Sequence, residues 1–177
     1  RSEDLIFGEF NQTEVEICDF SAFNMSLKEK SVRALGAQNF QGILFKATFP
    51  KELAHWVYVC DKKEGCLRKE GEIALMDSPS FNRYFDVFTE DQILARYALS
   101  PKLMESFCGL KEKFNCPISM VLRNREVIVA ANLGKNSFEP SFEKSLLEDN
   151  TIRDYISSIK GFTDMVKELG LNNHIWK

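Results

Sequence analysis

The chain has 177 residues, 44% of them hydrophobic, and its formal net charge is −3. This length suits one domain, and the apolar content, which includes 15 phenylalanines, is enough for a sizeable core, so a wholly disordered chain is excluded. Charges of both signs are mixed and form no basic stripe for nucleic acid, and no run of 18 apolar residues could cross a membrane. Because the sequence starts at Arg1, we expect residues 1–177 to be a single soluble domain, the C-terminal part of a longer chain.

The N-terminal residues predict a β-hairpin. Two apolar-rich segments, 5–10 and 13–18, are joined by Asn11-Gln12, a pair suited to a tight turn. The polar segment 26–38 is expected to be an exposed hairpin loop or a frayed segment.

Three further segments predict strands. Residues 54–60 are apolar on both faces, which is typical of a central strand, and residues 72–76 form a shorter one. The charged stretch 61–71 between them is expected to be a solvated loop. Residues 40–49 alternate in polarity, so one side of that strand should point inward: Ile43, Phe45, Ala47 and Phe49.

Helix-capping signals are densest in the middle of the chain. Ser78-Pro79 combines a side-chain acceptor with a proline suited to the first helical position. After a short strand at 85–88, Thr89 is expected to cap a second helix, with Gln92 as the reciprocal half of a capping box.

Two helices should follow that cap and meet at a bend. The first is expected to bury Ile93, Leu94 and Tyr97. Ser100-Pro101 starts the second, because the proline biases the preceding residue away from helical angles. The apolar stripe of this second helix consists of Leu103, Met104, Phe107, Leu110 and Phe114.

The C-terminal part predicts a hairpin and a closing helix. Segments 117–122 and 126–131 alternate in polarity around an Asn124-Arg125 turn. A long amphipathic helix, capped by Asn150 and ended by Gly170, is expected to pack on the sheet. Its apolar stripe consists of Ile152, Tyr155, Ile156, Ile159, Phe162, Val166 and Leu169.

Together these elements predict an α+β fold. We expect a mostly antiparallel sheet of about six to eight strands, packed by a mid-chain helical pair and the C-terminal helix. The order of elements differs from the β-α alternation of a doubly wound nucleotide-binding fold.

The five cysteines match no zinc-binding spacing. We expect free thiols in a reducing compartment, with a Cys60–Cys66 bridge as the alternative. His55 and His174 are the only histidines, and they give no reason to expect a metal site or another cofactor.

A small group of polar residues is the candidate ligand-binding site: Glu90, Asp91, Arg96, Tyr97 and Glu139. Acids in a first helical turn also serve as caps and dipole partners, and that structural interpretation is the stronger one for Asp91. The sequence contains no nucleophile elbow, phosphate-binding glycine loop or zinc-protease helix, so an enzyme is not favoured and no catalytic residue is assigned.

The segment 85–101 resembles the most recognisable part of an uncharacterised bacterial family, domain-of-unknown-function family 3137. The resemblance extends to 40–49, to Phe138-Glu139-Pro140 and to the closing helix, and so covers nearly the whole chain. Members of that family look like proteins with an N-terminal pair of hydrophobic segments followed by a soluble domain. The resemblance implies anchoring to the bacterial inner membrane through segments before Arg1, with this domain on the cytoplasmic face, and it implies no catalytic residues.

Two functions are therefore expected. The first is a non-enzymatic binding or scaffold domain whose partner is another membrane-associated protein, in which case the surface should present an apolar patch or an open sheet edge. The second is an enzyme or small-ligand-binding domain with an aromatic pocket that holds Asp91, Arg96, Glu139 and His55.

Overall fold

The computed structural model of the chain describes residues 2–23, 38–50, 52–65, 71–134 and 149–171. These residues form an open, antiparallel sheet of eight strands with four helices, as expected for an α+β fold. The predicted loop at 26–38 lies outside the described residues except for residue 38. The segment 135–148, which includes Glu139, lies wholly outside them. The strands are β1 (Ser2–Phe10), β2 (Thr13–Phe23), β3 (Gln38–Thr48), β4 (Val57–Asp61), β5 (Glu72–Ile73), β6 (Phe85–Thr89), β7 (Ile118–Arg123) and β8 (Glu126–Asn132).

The spatial order of the strands is β1-β2-β3-β8-β7-β4-β6-β5. Both predicted hairpins are present, and the first turns through Asn11 and Gln12 with φ of 50° and 61°. Two positive φ angles match the right-handed twist of the flanking strands. β4 lies between β7 and β6, which confirms its predicted central position.

Two strands are shorter than the sequence predicted. β4 begins at Val57 rather than residue 54, because the carbonyl of Trp56 accepts the Thr89 hydroxyl (3.0 Å) instead of joining the ladder. β5 stops at Ile73 rather than residue 76, because the backbone of Met76 bonds to the Asn82 side chain (2.6 and 3.3 Å).

The helices are α1 (Pro79–Tyr84), α2 (Gln92–Ala98), α3 (Pro101–Phe114) and α4 (Asp149–Leu171). Ser78 and Ser100 cap α1 and α3 as predicted. The Ser78 hydroxyl accepts from the backbone N–H of Phe81 at 3.3 Å, and the Ser100 hydroxyl accepts from that of Leu103 at 3.2 Å. α4 begins at Asp149 and ends at Leu171, so Asn150 lies inside the helix and is not its cap, and Gly170 is not its last residue.

The core lies on one face of the sheet, between the strands and the helices. All four inward residues predicted in 40–49 are buried there. Phe162 of α4 stacks on Phe45 of β3, with ring centroids 5.0 Å apart, and on Phe114 of α3 at 5.8 Å. Met165 is buried although the predicted stripe omits it, whereas Ile156 is 60% exposed although the stripe includes it. The helix is therefore rotated slightly relative to the predicted stripe.

The opposite face of the sheet carries a continuous cross-strand row. Its members pair one to the next through the registers of all eight strands: Phe7, Glu16, Lys46, Ile128, Val121, Tyr58, Phe88 and Ile73. Lys46 binds Glu16 (3.1 Å) and Glu126 (3.2 Å) on this face, and those hydrogen bonds raise the pKa of the lysine. The row is thus charged near β2 and β3 and apolar toward β5.

Gly42 allows the two halves of the sheet to join. It pairs with Asn132 in the β3–β8 ladder, and a Cβ at this position would lie 2.1 Å from the Ala131 carbonyl oxygen. Any side chain here would push β3 away from β8, which is why the close approach requires glycine.

Candidate functional site

The residues singled out in the sequence lie where β6 leads into α2. Asp91 is the N-cap of α2: its Oδ1 accepts from the backbone N–H groups of Ile93 (2.9 Å) and Leu94 (3.0 Å). The prediction that Thr89 caps this helix is wrong. Thr89 ends β6, and its hydroxyl is bonded to Trp56 and to the backbone of Asp91.

Gln92 does not complete a capping box either. Its Nε2 donates to Oε2 of Glu72 on β5 at 2.9 Å, which places the start of α2 beside the edge strand. Glu90, next to the cap, faces His55, with 3.2 Å between Glu90 Oε2 and His55 Nδ1 in an exposed pair. The structure therefore places Glu90 beside His55, whereas the pocket hypothesis combined His55 with Asp91, Arg96 and Glu139.

The other predicted site residues are more dispersed. Arg96 is exposed in the last turn of α2, where the helix dipole favours a cation. Within the described ranges no ion pair joins Arg96 to Asp91, whose carboxylate is used by the helix start. Glu139 lies outside the described residues, so its membership of the site stays a prediction.

The buried face of α2 differs from the prediction. Ala95 and Ala98 are buried and Leu94 is half-buried, whereas Ile93 and Tyr97 point to solvent. The helix therefore turns its small alanine side chains inward and leaves the larger side chains of Ile93 and Tyr97 exposed.

Two more apolar side chains are exposed, one on the neighbouring edge strand β5 and one just after it. Ala74 and Met76 are buried, so Ile73 and Leu75 alternate outward. The exposed fractions are 63% for Ile73, 69% for Leu75, 69% for Ile93 and 58% for Tyr97. These four residues, on either side of the Glu72–Gln92 contact, are called the β5–α2 surface. The sequence pattern of residues 72–76 predicts an ordinary strand and gives no sign that Ile73 and Leu75 are exposed.

An aromatic pair continues the apolar character of this end of the sheet. Trp56 and Tyr58 are half-buried, with ring centroids 4.6 Å apart, and Tyr58 lies opposite Phe88 in the outer cross-strand row. Gly71 has φ of +78°, and a Cβ there would come within 2.6 Å of the Trp56 ring. The close approach of the indole to the backbone therefore requires glycine at position 71.

A buried ion pair is the second polar group, and the sequence analysis missed it. Asp61, predicted in a loop, is the last residue of β4 and wholly buried, and its Oδ2 accepts from Lys111 Nζ and from the Ile118 backbone N–H (3.1 Å). Its Oδ1 accepts from the Lys63 N–H at 2.9 Å. Lys111 Nζ also lies 5.7 Å from the Tyr84 ring centroid, within cation–π range. Both carboxylate oxygens of Asp61 have partners, so the pair ties β4, α3 and β7 together.

The prediction that all five cysteines are free thiols is wrong for Cys60. Cys18, Cys108 and Cys116 are free, but Cys60 is disulfide-bonded. Burial raises the pKa of Cys116 to about 11, and it raises the pKa of Cys18 and of Cys108, so these thiols are poor nucleophiles near neutral pH. In the described part of the chain, no three histidine, cysteine, aspartate or glutamate side chains converge on a point where a metal could bind.

The helices give no membrane-spanning segment: none within the described ranges combines the length and hydropathy that a span requires.

Comparisons with known proteins agree with the fold. The model of the family described as "Protein of unknown function (DUF3137)" matches residues 38–171. No curated protein matches the chain at a significant level. Among solved structures, the crystal structure of the mycobacterial trehalose monomycolate transport factor A, TtfA, is similar with a TM-score of 0.50 and 12% sequence identity, over 93% of this chain and 72% of that one. At this identity the likeness concerns the fold alone.

Proposed function

This chain belongs to the DUF3137 family, and from that premise we propose that residues 1–177 form a single non-enzymatic binding or scaffold domain of a bacterial membrane-associated protein. The fold it shares with a mycobacterial transport factor is compatible with such a role. Because a shared fold does not fix a function, the proposal depends on the molecule's own surface.

The β5–α2 surface is the observation that carries the proposal. Four large apolar side chains more than half exposed, on β5, just after it and on α2, are unusual for a surface that meets only water. The Trp56 and Tyr58 rings, which are tilted against each other with centroids 4.6 Å apart, belong to the residue types enriched at interfaces. The expected partner is another membrane-associated protein that packs on this apolar centre.

Charged residues surround that centre as a polar rim. We propose that Glu90 and Arg96 contact the partner at this rim and that Tyr97 contacts it within the apolar centre, since all three are exposed. Asp91 contributes differently: by capping α2 it fixes the orientation of Ile93 and Tyr97. Rim charges of this kind influence association rate and specificity more than affinity.

The pocket alternative gains little from the geometry. It needs the carboxylate of Asp91 for a ligand, but two backbone N–H groups already occupy one of its oxygens. Glu139, its third residue, remains a prediction. The binding interpretation is therefore the one proposed.

The side of the membrane stays a prediction. The expectation of a cytoplasmic face drew support from unpaired cysteines, and the disulfide at Cys60 removes part of that support. The proposal of membrane association does not depend on which face is occupied.

Site-specific photo-crosslinking in the native host tests the proposal. A benzophenone amino acid replaces Ile73, Leu75, Ile93 or Tyr97 in the full-length protein, and Ile156, an exposed apolar residue on α4, serves as the matched control position. We expect one crosslinked protein from the β5–α2 positions, absent at the control and lost in an Ile93→Lys variant. A crosslinking pattern at the four positions that matches the control would contradict the proposal.

A further inference from the structure

The other edge of the sheet, β1, is long and apolar at its centre. It has nine residues and, within the described ranges, is paired only with β2. Leu5 and Ile6 are exposed, and Phe7 is exposed to 79%. An edge strand presents a row of unpaired backbone N–H and C=O groups, so an extended chain can add to it.

The usual protections of an edge strand are mostly missing from β1. Neither proline nor lysine occurs between Ser2 and Phe10. One irregularity exists, at Asp4 (φ 53°), where the register with β2 shifts between Glu3 and Ile6. From Ile6 to Phe10 the pairing with β2 is regular, so the opposite side of this half has the geometry that a further strand needs.

The charged side chains along this edge are all negative. Residues 2–16 contain five carboxylates, Glu3, Asp4, Glu9, Glu14 and Glu16, and no lysine or arginine. Lys46 neutralises Glu16 across the sheet. No ion pair to a cation in the described residues involves Asp4, Glu9 or Glu14. The exposed apolar centre is thus flanked by acids on both sides.

This charge pattern disfavours a second copy of the chain as the occupant. If two β1 strands paired antiparallel about Ile6, Glu3 would lie opposite Glu9. If the axis fell between Ile6 and Phe7, Asp4 would lie opposite Glu9. Like charges directly across a strand pair are destabilising, whereas lysine or arginine at those positions would be favourable.

We propose that β1 is an acceptor edge for an extended segment of a partner protein, with a short apolar centre flanked by lysine or arginine, which adds to the sheet as a further strand. Main-chain hydrogen bonds provide the pairing, Phe7 and its neighbours contact the apolar centre, and the carboxylates select basic flanks. This edge lies at the opposite end of the sheet from the β5–α2 surface and before the residues that match the family model, so the inference does not depend on the proposed function.

Fluorescence anisotropy with labelled synthetic peptides tests it on the whole 177-residue chain. The probe is a peptide as long as β1, in which valine and threonine alternate between paired lysines. We expect saturable binding that weakens as salt rises, because exposed charges are screened within about 8 Å at physiological ionic strength. Replacing the lysines by glutamate, or a central valine by proline, should each weaken binding by about tenfold or more.

Protein variants and hydrogen exchange locate the binding. Phe7→Lys and Glu9→Lys should each weaken binding by about tenfold, while Ile156→Lys, a matched change on α4, should not alter it. Exchange of backbone amides in residues 2–10 should slow when the lysine peptide is bound. Equal binding of the proline peptide, unchanged affinity of Phe7→Lys, protection elsewhere but not in β1, or self-association through β1 in sedimentation would each overturn the proposal.

Discussion

Lys111 and Asp61 form an ion pair that is buried on both sides, with 8% and 0% of the two side chains exposed. The pair joins the C-terminal half of α3 to the end of β4, and the same aspartate accepts the first N–H of β7. The end of β4 is therefore held at one buried polar point to α3 and β7, whose contacting residues Lys111 and Ile118 lie 50 and 57 positions later in the chain.

Replacing one partner of this pair should strongly destabilise the domain. Asp61→Asn leaves the Lys111 charge buried without a counter-charge, and the expected loss in free energy of unfolding is about 3–5 kcal/mol. The control is Asp86→Asn, which breaks the exposed pair of Asp86 with Lys62 and should cost less than about 1 kcal/mol. Urea denaturation of both variants measures the difference, and equal losses would contradict the structural role assigned to Asp61.

The cap of α2 should be measurable by the same method. Asp91→Ala removes the acceptor for two backbone N–H groups and should lower the free energy of unfolding by about 0.5–2 kcal/mol. Glu90→Ala, one residue earlier on the exposed side, should stay within about 0.5 kcal/mol. If the two variants ranked in the opposite order, Asp91 would not be the cap.

Docking of α4 on the sheet depends on Phe162. Its ring is buried between Phe45 and Phe114, so Phe162→Ala should cost about 3–5 kcal/mol of stability. Ile156→Ala on the exposed side of the same helix should change stability by less than about 0.5 kcal/mol. A small loss for Phe162→Ala in calorimetry would show that α4 is not part of the cooperative core.

Alkaline pH should destabilise the domain partly through Cys116. Burial raises its pKa from 9.0 to about 11 in the folded state. The charge of Lys111 lowers this pKa, but its effect is smaller than that of burial. Between these two values the unfolded thiol has lost its proton while the folded thiol keeps it, so the stabilising effect is complete below pH 9 and is lost as pH rises to 11. Wild-type stability should therefore fall more steeply than that of Cys116→Ala in this window, as measured by urea denaturation at each pH.

Local patterns were sufficient for the elements whose signals are short-range. The Asn11-Gln12 turn, the Asn124-Arg125 hairpin and the serine-proline helix starts follow from two to four neighbouring residues, and the structure confirms them. The inward set of β3 follows equally from its alternation.

The errors come from interactions between distant residues. Thr89 has the right side chain for a cap, but its hydroxyl is used by Trp56, 33 positions away, and the cap moves to Asp91. Ile93 and Tyr97 are hydrophobic enough for a core, yet α2 buries Ala95 and Ala98 and leaves Ile93 and Tyr97 exposed. Asp61 continues the inward alternation of Val57 and Val59, but a carboxylate is assigned to the core only when its partner, Lys111, is known.

The unbroken order of strands from β1 to β5 has a mechanical consequence. Eight strands at about 4.8 Å spacing separate the acidic acceptor edge from the β5–α2 surface by about 34 Å. The β3–β8 ladder, which includes Gly42, joins the two halves of the sheet by backbone hydrogen bonds. The separation is therefore set by the sheet itself and not by a flexible linker. Two proteins that bind at opposite ends of the sheet would be kept apart at one constant distance, whatever their own sizes.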